Sequence, residues 1–135
     1  MKGFDLQGIE LNVSDEEAHA FIANPEQLPK WTNAFASVSN GRALIRTPAG
    51  EVSVDLDVDA SARHGTVDWR MTFPDGSVAV AFSRVVRLDG KRCMFSFVLT
   101  PPPVPLEQLE GALEAQSRTL AEELVKLKHI VERHG

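Results

Sequence analysis

Residues 66–100 read TVDWRMTFPDGSVAVAFSRVVRLDGKRCMFSFVLT. The apolar and polar residues alternate with a period of two, and Asp75-Gly76 and Asp89-Gly90 interrupt the alternation. Asp-Gly pairs supply the positive φ that tight hairpins need, so the stretch reads as three antiparallel strands. With both pairs as two-residue loops, Phe73 faces Val78, Met71 faces Val80 and Trp69 faces Phe82. In the second hairpin Val86 then faces Cys93, Phe82 faces Phe97 and Val80 faces Leu99. Both registers place the same residues of the shared strand on the apolar face. A one-residue slip would turn every side chain of that strand over.

The pattern extends upstream. Turn signals also occur at Asn40-Gly41, Ala49-Gly50 and His64-Gly65, which makes residues 36–100 an antiparallel meander. Val52, Val54, Leu56 and Val58 alternate with Glu51, Ser53, Asp55 and Asp57, giving one buried and one wet face. Phe4 to Val13 reads as a further strand. Ser14 and Glu17 then form a capping box for a short helix over roughly 15–23. Asn24-Pro25 starts a second short helix, with Leu28, Trp31 and Phe35 at helical spacing.

Downstream, the prolines at 101, 102, 103 and 105 end the sheet with a stiff connector. A long amphipathic helix follows from Leu106 to about Arg133. Its apolar line is Leu106, Leu109, Leu113, Leu120, Leu124, Leu127 and Val131. The sheet's apolar face needs a cover, and this helix is the element long enough to provide it. The expected fold is α+β: a strongly curved antiparallel sheet of six to seven strands wrapped around a long C-terminal helix. Two short helices follow the first strand. Residues 1–135 form one domain.

Three stretches carry a likeness to a known group. They are Asn24-Pro25-Glu26-Gln27-Leu28-Pro29-Lys30-Trp31; Gly65-Thr66-Val67-Asp68-Trp69-Arg70 with the hairpins that follow; and Glu123-Leu124-Val125-Lys126-Leu127-Lys128-His129-Ile130-Val131-Glu132. Over essentially its full length the chain resembles the START-like, helix-grip (SRPBCC) superfamily, and within it bacterial polyketide cyclase/dehydrase-like members. The resemblance implies a cavity between sheet and helix. It implies no particular activity, because the superfamily spans lipid carriers, quinone-binding proteins, receptors and ring-closing enzymes. No catalytic residue is carried over.

In the register above, Arg84 lies on the apolar face, opposite Phe95. A buried guanidinium needs a partner. It would anchor a ligand carboxylate, phenolate or enolate, or else pair with Glu110, Glu114 or Glu123, or snorkel to solvent. Gln116 is the one polar residue in the line Leu109, Leu113, Gln116, Leu120, Leu124. It would orient a ligand or be satisfied within the core. Trp69, Met71, Phe82, Phe95, Phe97, Leu113 and Leu120 complete the candidate ligand-binding set, with plain packing as the alternative for each. Trp31 closes one end and reads as packing.

Cys93 reads as a small buried hydrophobe, since no histidine is placed beside it. His19 and His64 read as solvated, and His129 and His134 suit the helix C-terminus. No metal-ligand spacing is present, and no cofactor is expected. The row Asp55, Asp57, Asp59 reads as a wet face on which Asp55 or Asp57 can pair with Arg70.

The chain is 43% apolar and 24% charged, with a formal net charge of -5. These values suit a globular domain and argue against phosphate-backbone binding, so no nucleic-acid partner is expected. No apolar run is long enough to span a bilayer, and stable membrane insertion is not expected. The first residues hold no apolar signal segment, which makes the cytoplasm the default. One cysteine excludes an internal disulfide. The expected function is binding of a small hydrophobic or amphipathic molecule (a lipid, a quinone or a polyketide-like compound). One alternative is an enzyme of the polyketide cyclase/dehydrase type acting on such a ligand. The other is a protein-interaction module that uses the leucine stripe, including as a homodimer seam.

Overall fold

A computed structural model describes residues 4–47, 50–100 and 106–134, with backbone alone at Thr47, 106–114 and His134. The elements are β1 (Asp5–Leu11), α1 (Asp15–Ala23), a 3-10 turn (Pro25–Gln27), α2 (Leu28–Trp31), β2 (Phe35–Ser39), β3 (Arg42–Thr47), β4 (Gly50–Ser61), β5 (Thr66–Thr72), β6 (Val78–Asp89), β7 (Arg92–Leu99) and α3 (Leu106–His134). The proline run 101–105 lies outside the described residues.

Local chemistry sets the helix starts. Ser14 Oγ accepts from Glu17 N at 3.2 Å, and Asn24 Oδ1 accepts from Glu26 N at 3.1 Å with Pro25 next. The seven strands form one antiparallel sheet in the order β1-β7-β6-β5-β4-β3-β2. Strand β1 leads through the short helices to the far edge, and the meander then returns to pair β7 with β1. Both β1 and β2 are edges, so the sheet does not close.

One layer of side chains joins the sheet to α3. Leu120, Leu124, Leu127 and Val131 are buried in the same core cluster as Leu11, Val54, Leu56, Val67, Trp69, Val85, Cys93 and Phe95. Each such burial is worth about 1.5–3 kcal/mol. This half of the leucine stripe is therefore occupied by the chain's own sheet and is not free to act as a seam. The side chain of Leu113 lies outside the described residues. Helix α3 also covers the β1 edge. Lys128 Nζ donates to the Glu10 carbonyl at 2.9 Å, and Glu132 accepts from Asn12 N at 2.9 Å. A covered edge is protected from pairing with another chain.

The hairpins flanking β6 differ from the expected register by one residue. The β5–β6 loop has three residues, Pro74, Asp75 and Gly76. Phe73 N donates to the Ser77 carbonyl at 2.8 Å, Gly76 N donates to the Phe73 carbonyl at 2.9 Å, and Thr72 pairs with Val78. Gly76 has φ +88°, as a three-residue hairpin with glycine in the left-handed position requires. Trp69 therefore faces Ala81, not Phe82, and Met71 faces Ala79, not Val80. The β6–β7 loop is Gly90-Lys91, with Asp89 opposite Arg92 and a register shift between Arg87 and Asp89. Ser83 faces Phe97 and Val85 faces Phe95. The two expected registers agreed with each other only because both had turned β6 over. Its inner residues are Ala81, Ser83 and Val85, and Arg84 and Phe82 point outward.

The turn before β5 makes a close approach. Gly65 has φ +72°, and its carbonyl accepts from Val85 N at 2.7 Å. A Cβ at Gly65 would sit 2.2 Å from the Val85 carbonyl oxygen. The Gly65→Ala variant should lose at least about 2 kcal/mol of stability from combined strain and clash. Its thermal midpoint should then fall by roughly 6 °C or more, read by circular dichroism. An unchanged midpoint would refute this account of the turn.

Candidate functional site

The inner face carries a continuous row of aromatic rings. Trp31 of α2 meets Phe95 of β7 edge-on at 6.3 Å, Phe95 meets Phe97 at 6.4 Å, and Phe97 stacks on Trp69 of β5 at 5.7 Å and 29°. Alternation along β7 points Phe95 and Phe97 the same way, and Trp69 reaches them across β6 because Ala81 between them is small. Burial along the row is uneven. Trp31, Phe95 and Trp69 are buried, whereas Phe97 is half-buried, as are Met71, Phe73, Ala81, Leu99 and Val58 beside it. The apolar inner face is thus sealed at the α2 end and incompletely covered at the end toward the β5–β6 loop.

Among the described residues, three buried polar side-chain atoms have no hydrogen-bond partner: Trp31 Nε1, Trp69 Nε1 and Gln27 Oε1. A buried donor or acceptor left unpaired costs about 1–3 kcal/mol. Ser83, the buried polar residue of β6, is by contrast satisfied, its hydroxyl donating to the Val67 carbonyl at 2.5 Å.

Of the sequence candidates, the structure brings together Trp69, Met71, Phe95, Phe97 and Leu120. It moves three others. Arg84 is exposed on the outer face, opposite Thr66 and Ser96, so its expected place beside the ligand is corrected. Phe82 lies on the same outer face and is 45% exposed. Gln116 is exposed as well, because α3 turns that flank to solvent. On the outer face, Asp57 stands opposite Arg70, whereas Asp55 pairs with Arg42.

A polar cluster at the other end of the inner face was not foreseen. Asp5 and Gln7 of β1 stand opposite Leu99 and Phe97. Gln7 Nε2 donates to Asp5 Oδ2 and to the Ser117 carbonyl, both at 2.8 Å, and the Ser117 hydroxyl donates to Asp5. The cluster ties α3 to the sheet edge at the rim of the half-covered surface. Its signal was present in the alternation of Asp5, Gln7, Ile9 and Leu11. Glu123 pins the opposite flank of α3 by accepting from Asn33 N at 2.6 Å.

Burial pushes the Glu123 carboxyl above the usual carboxylate range, partly offset by the Asn33 N–H and by Lys126. Burial, with a contribution from Asp15, pushes the Cys93 thiol up to about 11, which leaves it protonated and unreactive at neutral pH. His19 is half-buried, with Nε2 3.1 Å from the Thr66 carbonyl. It lines a cleft of about 160 Å³ with Asp15, Glu16, Ala20, Ala62, Gly65 and Val85, between α1 and the β4–β5 turn and away from the aromatic row. Among the described residues no group of three His, Cys, Asp or Glu side chains could hold a metal ion.

No family model and no curated protein matches this sequence. Solved structures do match. The chain is similar to a START superfamily protein from Mycobacterium smegmatis, with 12% identity, coverage of 98% of this chain and 99% of that one, and a TM-score of 0.69. It is similar to the protein XoxI from Bacillus cereus, with 13% identity, 96% of each chain covered and a TM-score of 0.70. It is also similar to the Zhui aromatase/cyclase from Streptomyces sp. R1128, with 10% identity, 97% and 92% coverage and a TM-score of 0.64. The chain has the START-like helix-grip fold, which the Zhui aromatase/cyclase shares.

The raised carboxyl of Glu123 gives a signed expectation. A carboxyl whose folded pKa lies above its unfolded value favours folding most below the unfolded pKa, and that contribution is lost as pH rises through the folded value. The amide in Glu123→Gln keeps an acceptor for Asn33 and removes the charge. The stability of Glu123→Gln relative to wild type should therefore rise between pH 4 and pH 7 in urea titrations. A difference that stays flat or falls would show that Glu123 is not shifted as described.

Proposed function

We propose that the protein binds a small hydrophobic molecule between the sheet and α3, against Trp69, Met71 and Phe97. The observation that carries this reading is the uneven cover of the inner face. An apolar, aromatic surface is sealed at one end and half-open at the other, beside a buried indole N–H that none of the described residues pairs. Interior apolar surface with a few convergent polar groups is the usual make-up of a small-molecule site. The likeness to the START superfamily protein supports the same reading.

Catalysis of the cyclase/dehydrase kind is the second reading, favoured by the likeness to the Zhui aromatase/cyclase. Ring closure and dehydration need a proton donor or acceptor at the reacting chain. Among the described residues the candidates are committed elsewhere: the Asp5 carboxylate at the rim accepts from Gln7 and Ser117, Cys93 holds its proton, Arg84 faces solvent, and Glu123 is tied to Asn33. Binding therefore stands ahead of turnover.

Titration of the tryptophan fluorescence with fatty acids, sterols, quinones and aromatic polyketides should show saturable one-to-one binding of at least one class. Ala81→Leu, which fills the space beside Trp69, should weaken that binding about tenfold or more while the fold is kept. Recovery of the ligand unchanged identifies a binder, and conversion to a new product identifies the enzyme. No saturation by any class would sink the proposal.

A further inference from the structure

Within the proposed binding site, the polar atoms of the chain constrain the ligand's chemistry. Every described Lys and Arg side chain is exposed except Lys128, which is half-buried and paired with Glu132 and the Glu10 carbonyl. A carboxylate or phosphate brought against the aromatic row would be desolvated with no cation of the described residues beside it, which disfavours acidic ligands.

A neutral oxygen meets a different reception. Of the two unpaired indoles, Trp31 has a complement at hand. Gln27 Oε1 is an unpaired acceptor four residues earlier, in the 3-10 turn that runs into α2, a spacing that brings side chains to one face of a helix. Trp69 has no such complement among the described residues. Its strand partners are Val58 and Ala81, its stacking partner is Phe97, and the nearby Ser83 hydroxyl is committed to the Val67 carbonyl. It also stands where buried residues give way to half-buried ones, with Val67 on one side and Met71 on the other.

We infer that the ligand is an uncharged, ring-containing molecule with a carbonyl-type oxygen, and that Trp69 Nε1–H donates the hydrogen bond that holds this oxygen. The inference rests on the binding reading above and replaces the anionic ligand that an inward Arg84 would have selected.

Fluorene, 9-fluorenone and fluorene-9-carboxylate share one ring skeleton and differ at one carbon, which makes them suitable probes. They would be titrated into the 15N-labelled full chain. The two indole N–H resonances are assigned with Trp31→Phe, which leaves the Trp69 signal alone. The expected result is that 9-fluorenone shifts the Trp69 N–H signal and binds about tenfold tighter than fluorene, the gain of one hydrogen bond to a buried donor. In Trp69→Phe that ratio should fall to about one. The wild-type N–H shift remains as a readout if that variant fails to fold. Equal binding of fluorene and 9-fluorenone with the Trp69 N–H unmoved would overturn the inference and leave the binding reading intact. Tightest binding by fluorene-9-carboxylate would also overturn it. Failure of all three probes to bind would count against both the inference and the binding reading.

Discussion

The character of the interior hangs on the register of strand β6. A strand shows alternate residues to opposite faces, so one peptide unit more or less in the loop before it exchanges the two sets. Here the loop is Pro74-Asp75-Gly76, and the exchange puts Ala81, Ser83 and Val85 inside and Phe82 and Arg84 outside. A second contact fixes the same register further along. Val85 N donates to the Gly65 carbonyl, and the backbone approach is close enough to exclude a side chain at Gly65. With β6 held at two points, Ala81 leaves the space across which Trp69 and Phe97 stack.

The consequence is electrostatic. With Arg84 outside, no described cation faces the aromatic row, and the described polar groups near it are an unpaired indole N–H, a satisfied serine hydroxyl and, at the rim, the mutually bonded Asp5, Gln7 and Ser117. Low-dielectric surroundings magnify the difference between a charged and a neutral guest. The same surroundings hold Cys93 in its thiol form and raise Glu123. The interior thus disfavours charge on its own side chains.

Helix α3 is fixed from three directions. Its leucines pack on the inner face, the Ser117 cluster and the Lys128–Glu132 pair bind it to β1, and Glu123 binds it to the loop after α2. These polar ties lie at the flanks of the helix and leave its central line apolar. They also cover the β1 edge, so the open sheet does not offer that strand for pairing.

Much of this was legible in the chain. The capping residues Ser14 and Asn24, the Asn40-Gly41 turn, the alternation of Val52 to Val58 and the leucine line of α3 each rest on neighbours in sequence. Propensity and periodicity therefore sufficed to give the element order, the antiparallel meander and the helix cover. The inward placement of Trp69, Met71, Phe95 and Phe97 followed from the same alternation. What required the folded chain was the choice between loops of two and three residues at Asp75-Gly76. Both choices satisfy the local turn chemistry, and they differ only in which face of β6 meets the core. Hydrogen bonding at Phe73 and Ser77 and the distant contact with Gly65 settle that choice. The placement of Arg84, Phe82 and Gln116, and the pairing of Asp5 and Gln7 with Ser117 across more than a hundred residues of chain, were decided there too. Such contacts are made between elements far apart in sequence, and no short-range pattern encodes them.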